Sequence, residues 1–325
     1  MKDGDARTVW IPYPPHRFPD LTAGLRYVFW DGSTALPGHP DDVRFLVAPP
    51  SPGAEHVLRE VLPRMHNLEV LQLLSSGYEY VMPLLDGASS GMRLATGRGV
   101  HREATAELGV TLLLSLCRGL DDFRTRQAEG RWRPEFRTTL VGKRVLVVGH
   151  GAVGAAVAAR LSTFRCEVVL VARTARTTRA GHVHGAAELP ALLPTVEAVV
   201  LCAPLTERTR GMFGADALAL LPDNAMLVNI ARGELVDTDA LVRGVRAGRL
   251  RAALDVTDPE PLPADHPLWH LPGVLITPHV AAFTDAFEAM SKDFLRRQLG
   301  RYQRGQALHN IVLTTTGAQV DEQAA

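Results

Sequence analysis

Residues 143–161 read KRVLVVGHGAVGAAVAARL, and the fold follows from this stretch. An unbroken apolar run ends in Gly149-His150-Gly151-Ala152-Val153-Gly154, and a small-residue helical pattern opens at once. A Val/Leu run without polar alternation suits a strand buried on both faces, as in a parallel sheet. G-x-G-x-x-G alone is a weak pattern, and a glycine turn that merely joins strand to helix is the plain alternative. A strand directly before it and a helix directly after it are the context of a dinucleotide turn. In such a turn Gly149 permits the tight bend, Gly151 lets a pyrophosphate approach the backbone, and Gly154 lets the helix pack on the strand. The helix N-terminus adds N–H donors and partial positive charge.

Toward the C-terminus, strand and helix patterns alternate. CEVVLVA (166–172), EAVVLCAP (197–204), AMLVNIA (225–231), RAALDV (251–256) and VLITPH (274–279) read as strands, with helices at AAELPALL and TDALVRGVRAG. This predicts a doubly wound α/β domain. Toward the N-terminus, Ala106, Val110, Leu113, Leu114 and Cys117 recur at helical spacing and predict a helix over Glu103–Arg118. Before it, strands are expected at Thr8–Pro12, Arg26–Trp30, Val43–Val47 and Val70–Leu74. The polar stretch Asp121–Arg137 is expected as an exposed loop with Trp132 as its anchor. Phe287, Met290 and Phe294 mark the apolar side of a helix over Thr284–Gln303, and the tail TTTGAQVDEQAA is expected to fray. Domain boundaries follow: 1–102 with 287–325, and 103–286.

Length, charge and cysteine content narrow the function. The 325 residues suit two domains, and a formal net charge of +0 argues against a generally basic nucleic-acid surface. The three cysteines, Cys117, Cys166 and Cys202, have no metal-ligand spacing and are too few for a disulfide scaffold. The N-terminus has no apolar signal core, and no stretch is long and apolar enough for a membrane span. A reducing, cytoplasmic location is expected, without nucleic-acid or membrane partners. His266 and His270 flank Trp269, but Pro267 and Pro272 speak against a helical metal pair, and no metal is expected.

Cofactor choice is read at the end of the second strand. A carboxylate there would bind the ribose hydroxyls of NAD. This sequence has Val171-Ala172-Arg173-Thr174-Ala175-Arg176, with two guanidiniums and a hydroxyl where a 2′-phosphate would lie. Arginine offers a fixed fork of donors to phosphate. NADP(H) is therefore expected in preference to NAD(H), which stays possible; a solvated basic loop is the alternative.

Three later strand ends carry polar residues: Asn229-Ile230-Ala231-Arg232-Gly233, Asp255-Val256-Thr257-Asp258-Pro259-Glu260, and Thr277-Pro278-His279. In doubly wound sheets ligands sit outside the carboxyl ends of strands, so the three can converge. Reducing a 2-oxo acid needs a proton donor, a cation for the carboxylate, and a group that poises the donor. His279, Arg232 and Glu260 are of those types, since imidazole titrates near neutral pH and a neighbouring carboxylate favours its charged form.

Several of these segments resemble the D-isomer-specific 2-hydroxyacid dehydrogenases. LVGKRVLVVGHGAVG, CAPLTERTRGMF, AMLVNIARGELVDTDAL, AALDVTDPEPLP and ITPHVA are similar to that family's signatures and stand in its order, over roughly the stretch from Ala104 to His279. The resemblance implies a Rossmann-type domain plus a smaller flavodoxin-like substrate domain built from both chain ends. It implies Arg232 as substrate arginine, Glu260 as histidine partner and His279 as acid/base. It further implies cofactor contacts at Cys202, Ala203, Pro204, Thr209, Ile230, Ala231, Asp255 and Ala281. Ser76 and Gly77 fall where the family binds the substrate carboxylate through backbone N–H groups. The Pro-rich start and short first helix depart from the pattern. The expected function is NADPH-dependent reduction of glyoxylate or hydroxypyruvate to the D-2-hydroxy acid by a homodimer. A dinucleotide-sensing regulatory protein of the same fold is the alternative. Formate oxidation is disfavoured, because family members of that kind carry glutamine where Glu260 stands.

Overall fold

The apolar runs become strands enclosed on both sides, and turn-forming residues set their ends. The computed structural model describes residues 6–51, 53–86, 88–316 and 319–322. In chain order the first elements are β1 (Thr8–Ile11), β2 (Arg26–Phe29), β3 (Val43–Val47), α1 (Ala54–Val61), β4 (Val70–Gln72) and β5 (Arg93–Ala95). Then follow α2 (Arg102–Arg118), α3 (Leu120–Ala128), β6 (Arg144–Val148), α4 (Ala152–Leu161), β7 (Glu167–Ala172), β8 (Arg176–Thr178) and β9 (Gly181–Gly185). The next are α5 (Leu189–Leu192), β10 (Ala198–Leu201), α6 (Ala215–Leu220), β11 (Ala225–Asn229), α7 (Thr238–Arg246), β12 (Leu250–Leu254) and β13 (Val274–Ile276). The last are α8 (Phe287–Gln303), β14 (Ile311–Thr316) and β15 (Gln319–Glu322). Two compact units result, one of residues up to His101 together with those from Asp285, the other Arg102–Thr284.

The first unit is a sheet ordered β15-β14-β5-β4-β3-β1-β2, parallel from β5 to β2 and closed at one edge by antiparallel β14 and β15. The order 2-1-3-4-5 is that of flavodoxin-like sheets. Alternation along the strands splits the core in two. Trp10, Leu46 and Leu71 face one cluster, where the Trp10 and Trp30 rings meet at 5.4 Å, tilted by 55°. Val9, Ile11, Phe45 and Val70 face the other, which α8 covers with Phe294, Leu295 and Leu299. Two fully buried glutamines meet where α8 crosses the sheet: Gln298 of α8 donates to Gln72 Oε1 and to the His309 carbonyl, both at 2.8 Å. Part of the tail expected to fray is instead paired as β14 and β15, because β5 offers an open edge.

The second unit is ordered β13-β12-β11-β10-β6-β7-β9-β8, parallel except for the β8–β9 hairpin. Its centre repeats the 3-2-1-4-5-6 order of dinucleotide-binding sheets, with the switch point between β6 and β10. Helix α2 packs on α4 and on β11, burying Ala106, Val110, Leu113 and Cys117 while Leu114 stays half-buried. The expected loop after it begins as helix α3, which Asp121 and Asp122 in the first turn favour through the helix dipole. Beyond α3 the chain has no regular structure, and Glu135 holds it by ion pairs with Arg126, Arg133 and Arg137. Trp132 anchors nothing there; it is 98% exposed and Phe136 is 108% exposed. Among the described residues no helix is long and apolar enough to cross a membrane.

Candidate active site

The glycine turn sits where β6 passes into α4. Gly149 adopts φ +100°, and a Cβ there would stand 2.6 Å from the Ala203 nitrogen and the Cys202 carbonyl carbon. A Cβ on Gly154 would lie 1.7 Å from the Gly149 carbonyl oxygen, so helix and turn touch backbone to backbone. Helix α4 opens at Gly151 with no side-chain cap, leaving its first N–H groups unclaimed by a capping side chain. Desolvation pushes the neighbouring Cys202 thiol up to about 12, so it packs beside the turn as a protonated, inert group.

The arginine segment lies against this turn. Arg176, which opens strand β8 and is not part of a free loop, donates to the His150 carbonyl at 3.1 Å and to the Thr174 carbonyl at 3.3 Å. Partial burial, and then the Arg176 charge, hold the His150 imidazole below its usual range. Arg173 and Thr174 are exposed between β7 and β8. Across the switch point, Thr209 Oγ1 donates to the Pro204 carbonyl at 2.7 Å and accepts the Thr206 N–H at 2.8 Å. Its hydroxyl is thus spent on shaping the loop after β10.

The three polar strand ends are built by buried side chains behind them. Asn229, 1% exposed at the end of β11, donates to the Arg232 carbonyl at 2.8 Å and accepts the Ala231 N–H at 3.1 Å. That curl leaves Arg232 half-buried, with its Nη1 donating to the Ala231 carbonyl at 2.6 Å, while Ile230 and Ala231 are buried. Gly233 allows the next contact: a Cβ there would meet the Thr257 carbonyl oxygen at 2.0 Å, so the Arg232 loop lies directly on the loop leading to Glu260.

Asp255, 2% exposed, organises the third segment. Its Oδ1 accepts Thr277 Oγ1 at 2.6 Å and the Val280 N–H at 3.0 Å, and its Oδ2 accepts the Ala281 N–H at 3.1 Å. Its carbonyl accepts the His279 N–H at 2.8 Å. These bonds hold His279 at φ +52°, a left-handed conformation that costs a non-glycine residue about 1–3 kcal/mol. The ring is turned so that Nδ1 lies 2.6 Å from Glu260 Oε1, with both side chains about half exposed. Asp255 was expected as a cofactor contact; its carboxylate here fastens the His279 turn. Thr277 and Asn229 were not singled out for these roles, since a buried hydroxyl or amide gives no periodic signal in sequence. Asp255→Asn sets an amide N–H₂ against the Ala281 N–H and removes the carboxylate charge, and is expected to lower stability by about 2–3 kcal/mol. Urea unfolding reads this directly, and an unchanged midpoint would show that the three bonds are not made.

In the first unit, Ser75-Ser76-Gly77 forms a tight loop: Ser75 Oγ donates to the Gly77 carbonyl at 2.8 Å, and the Ser75 carbonyl accepts the Gly97 N–H at 2.7 Å.

Known proteins resemble this chain in sequence and fold. Residues 110–281 match the family described as D-isomer specific 2-hydroxyacid dehydrogenase, NAD binding domain. Human glyoxylate reductase/hydroxypyruvate reductase is 32% identical over 240 residues, 71% of this chain and 73% of that protein. A chloroplastic/mitochondrial formate dehydrogenase of Arabidopsis thaliana is 30% identical over 290 residues, 84% of this chain and 75% of its own. The crystal structure of a D-isomer specific 2-hydroxyacid dehydrogenase from Xanthobacter autotrophicus Py2, in complex with NADPH and MES, superposes with a TM-score of 0.76 at 28% identity, covering 94% of this chain and 98% of that one. With the glycine turn, the sheet order and these matches in agreement, the chain belongs to the D-isomer specific 2-hydroxyacid dehydrogenase family.

Proposed function

We propose that this protein reduces a small 2-oxo acid of the glyoxylate or hydroxypyruvate class to the D-2-hydroxy acid with NADPH. The observation that carries the reading is the His279–Glu260 pair, 2.6 Å apart on a turn that Asp255 locks. The glutamate at position 260, where the resemblance implies glutamine in formate-oxidising members, supports 2-oxo acids over formate. The residues fit a dinucleotide: neither Gly149 nor Gly154 has room for a Cβ, and the α4 N-terminus has no side-chain cap. A bound nicotinamide supplies the hydride that reaches the carbonyl carbon. Glu260 holds Nδ1 of His279, which leaves Nε2 to deliver the proton to the carbonyl oxygen. Arg232 binds the carboxylate and polarises the carbonyl.

Arg173, Thr174 and Arg176 are assigned to the 2′-phosphate, which favours NADPH and hence reduction. The test is a panel of 2-oxo acids with both cofactors: glyoxylate or hydroxypyruvate should turn over fastest, with NADPH preferred. Arg173→Ala with Arg176→Ala is expected to weaken NADPH by about 100-fold and NADH by only a few-fold, as two charge-assisted phosphate contacts are lost. Equal losses would show that the segment is not a phosphate site.

We also assign a homodimer in a reducing cytoplasm, the dimer on the strength of two wholly exposed aromatics, Trp132 and Phe136, on the arm after α3. Trp132→Ser with Phe136→Ser should shift the mass seen by light scattering from dimer to monomer; an unchanged mass would remove this arm from the interface.

A further inference from the structure

Strand β9 carries His182 and His184 two residues apart, so both imidazoles leave the same face of the strand. Their rings stand 4.5 Å apart, edge to face. After Gly185 the chain makes one short helical turn, Ala186–Glu188, which brings Glu188 back over the strand. There Glu188 Oε1 accepts the Gly185 N–H at 2.8 Å and Oε2 lies 2.7 Å from His184 Nδ1. One ligand atom from each of His182, His184 and Glu188 lies within 4.8 Å of the others, the one such grouping among the described residues.

We propose that His182, His184 and Glu188 form a binding site for a borderline divalent transition-metal ion, Zn²⁺ above all. Two imidazoles and one carboxylate suit Zn²⁺, Ni²⁺ or Cu²⁺, whereas Mg²⁺ and Ca²⁺ need oxygen donors that this face does not offer. Zn–N and Zn–O bonds of about 2.0–2.2 Å place neighbouring ligand atoms about 3–3.5 Å apart. The His184–Glu188 pair, at 2.7 Å, opens by a few tenths of an ångström to admit the ion. His182 is exposed and needs only a side-chain rotation to close the set. The ion takes the place of the proton between His184 Nδ1 and Glu188 Oε2, and that proton leaves to solvent. Three protein ligands leave the remaining positions to water. An ordinary surface His–Glu pair accounts for His184 and Glu188 but leaves His182 without a reason to share their face. The site has a defined neighbour: His182 is opposite Thr177 and Val183 opposite Arg176 in the hairpin, so a bound ion pins the hairpin that begins at Arg176.

The test uses full-length, tag-free protein stripped with EDTA and titrated with ZnCl₂ by calorimetry. The expected result is one Zn²⁺ per chain, with His182→Ala/His184→Ala weakening it by at least about 10-fold, the least that losing a supporting group costs a metal site. Zn²⁺ should also protect His182 and His184 of the unmodified protein from diethyl pyrocarbonate, mapped by peptide mass spectrometry. An unchanged isotherm in the double variant, no stoichiometric binding, or protection confined to other histidines overturns the proposal.

Discussion

His279→Ala is expected to lower kcat for 2-oxo acid reduction by about 1,000-fold, within the range of general acid loss, while NADPH binding changes less than about twofold. The separation of the two effects follows from the construction of the site. The dinucleotide turn is made by β6, β10 and α4, whereas His279 stands on the turn after β13, fastened by Asp255 and Thr277. Removing the ring deletes the group assigned to the carbonyl oxygen and leaves the glycine cradle as it was. Because residue 279 is held at φ +52°, alanine adds backbone cost, so His279→Asn serves as the companion variant; asparagine tolerates that conformation well. Stopped-flow turnover and fluorescence titration of NADPH give the two numbers. Retained turnover in both variants would end the assignment of His279 as acid/base. If the unaltered protein binds NADPH tightly yet consumes none with any 2-oxo acid, the dinucleotide-sensing reading takes its place.

Arg232→Leu is expected to lower kcat/KM by about 1,000-fold, roughly 4 kcal/mol, the scale of losing one charged partner of a desolvated carboxylate. The curl at Ala231–Arg232 that Asn229 ties together positions Arg232, and the guanidinium's own bond from Nη1 to the Ala231 carbonyl at 2.6 Å, which the substitution removes, fixes the side chain against it. Arg232→Lys should recover only part of the loss, since an ammonium is a point charge and lacks the planar fork. Steady-state kinetics with glyoxylate separates the two variants. A loss under tenfold in Arg232→Leu would place the carboxylate elsewhere.

The second unit was the more legible part of the chain, for a physical reason. Its central strands β6, β7, β10, β11 and β12 are buried on both faces and largely apolar, and all of them but β7 are followed within a few residues by a glycine or a proline, whereas the polar β8–β9 hairpin carries no such signal. The first unit's sheet was read only in its early strands. β5 is three residues long, and β14 and β15 exist through pairing with a distant edge, which local pattern does not encode. The buried Gln72–Gln298 bond went unseen because a glutamine beneath a helix contradicts the patterning that places polar residues outside. Trp132 was misjudged for the converse reason, since an aromatic in a polar segment usually marks an anchor.

What the sequence alone determined was chemistry in a known order: a dinucleotide turn that needs glycine where backbones touch, arginines where a carboxylate would select NAD, and Arg232, Glu260 and His279 at successive strand ends. Only the tertiary structure decided what each residue does to its neighbours. Asp255 proved to be the fastening of the His279 turn, and Arg176 proved to lie across the glycine turn. Along β9 and the turn after it, His182, His184 and Glu188 came within reach of one ion. Residue type sets what a side chain is able to bind, but which polar atoms remain to bind it is settled only when strand register and turn geometry have claimed the others.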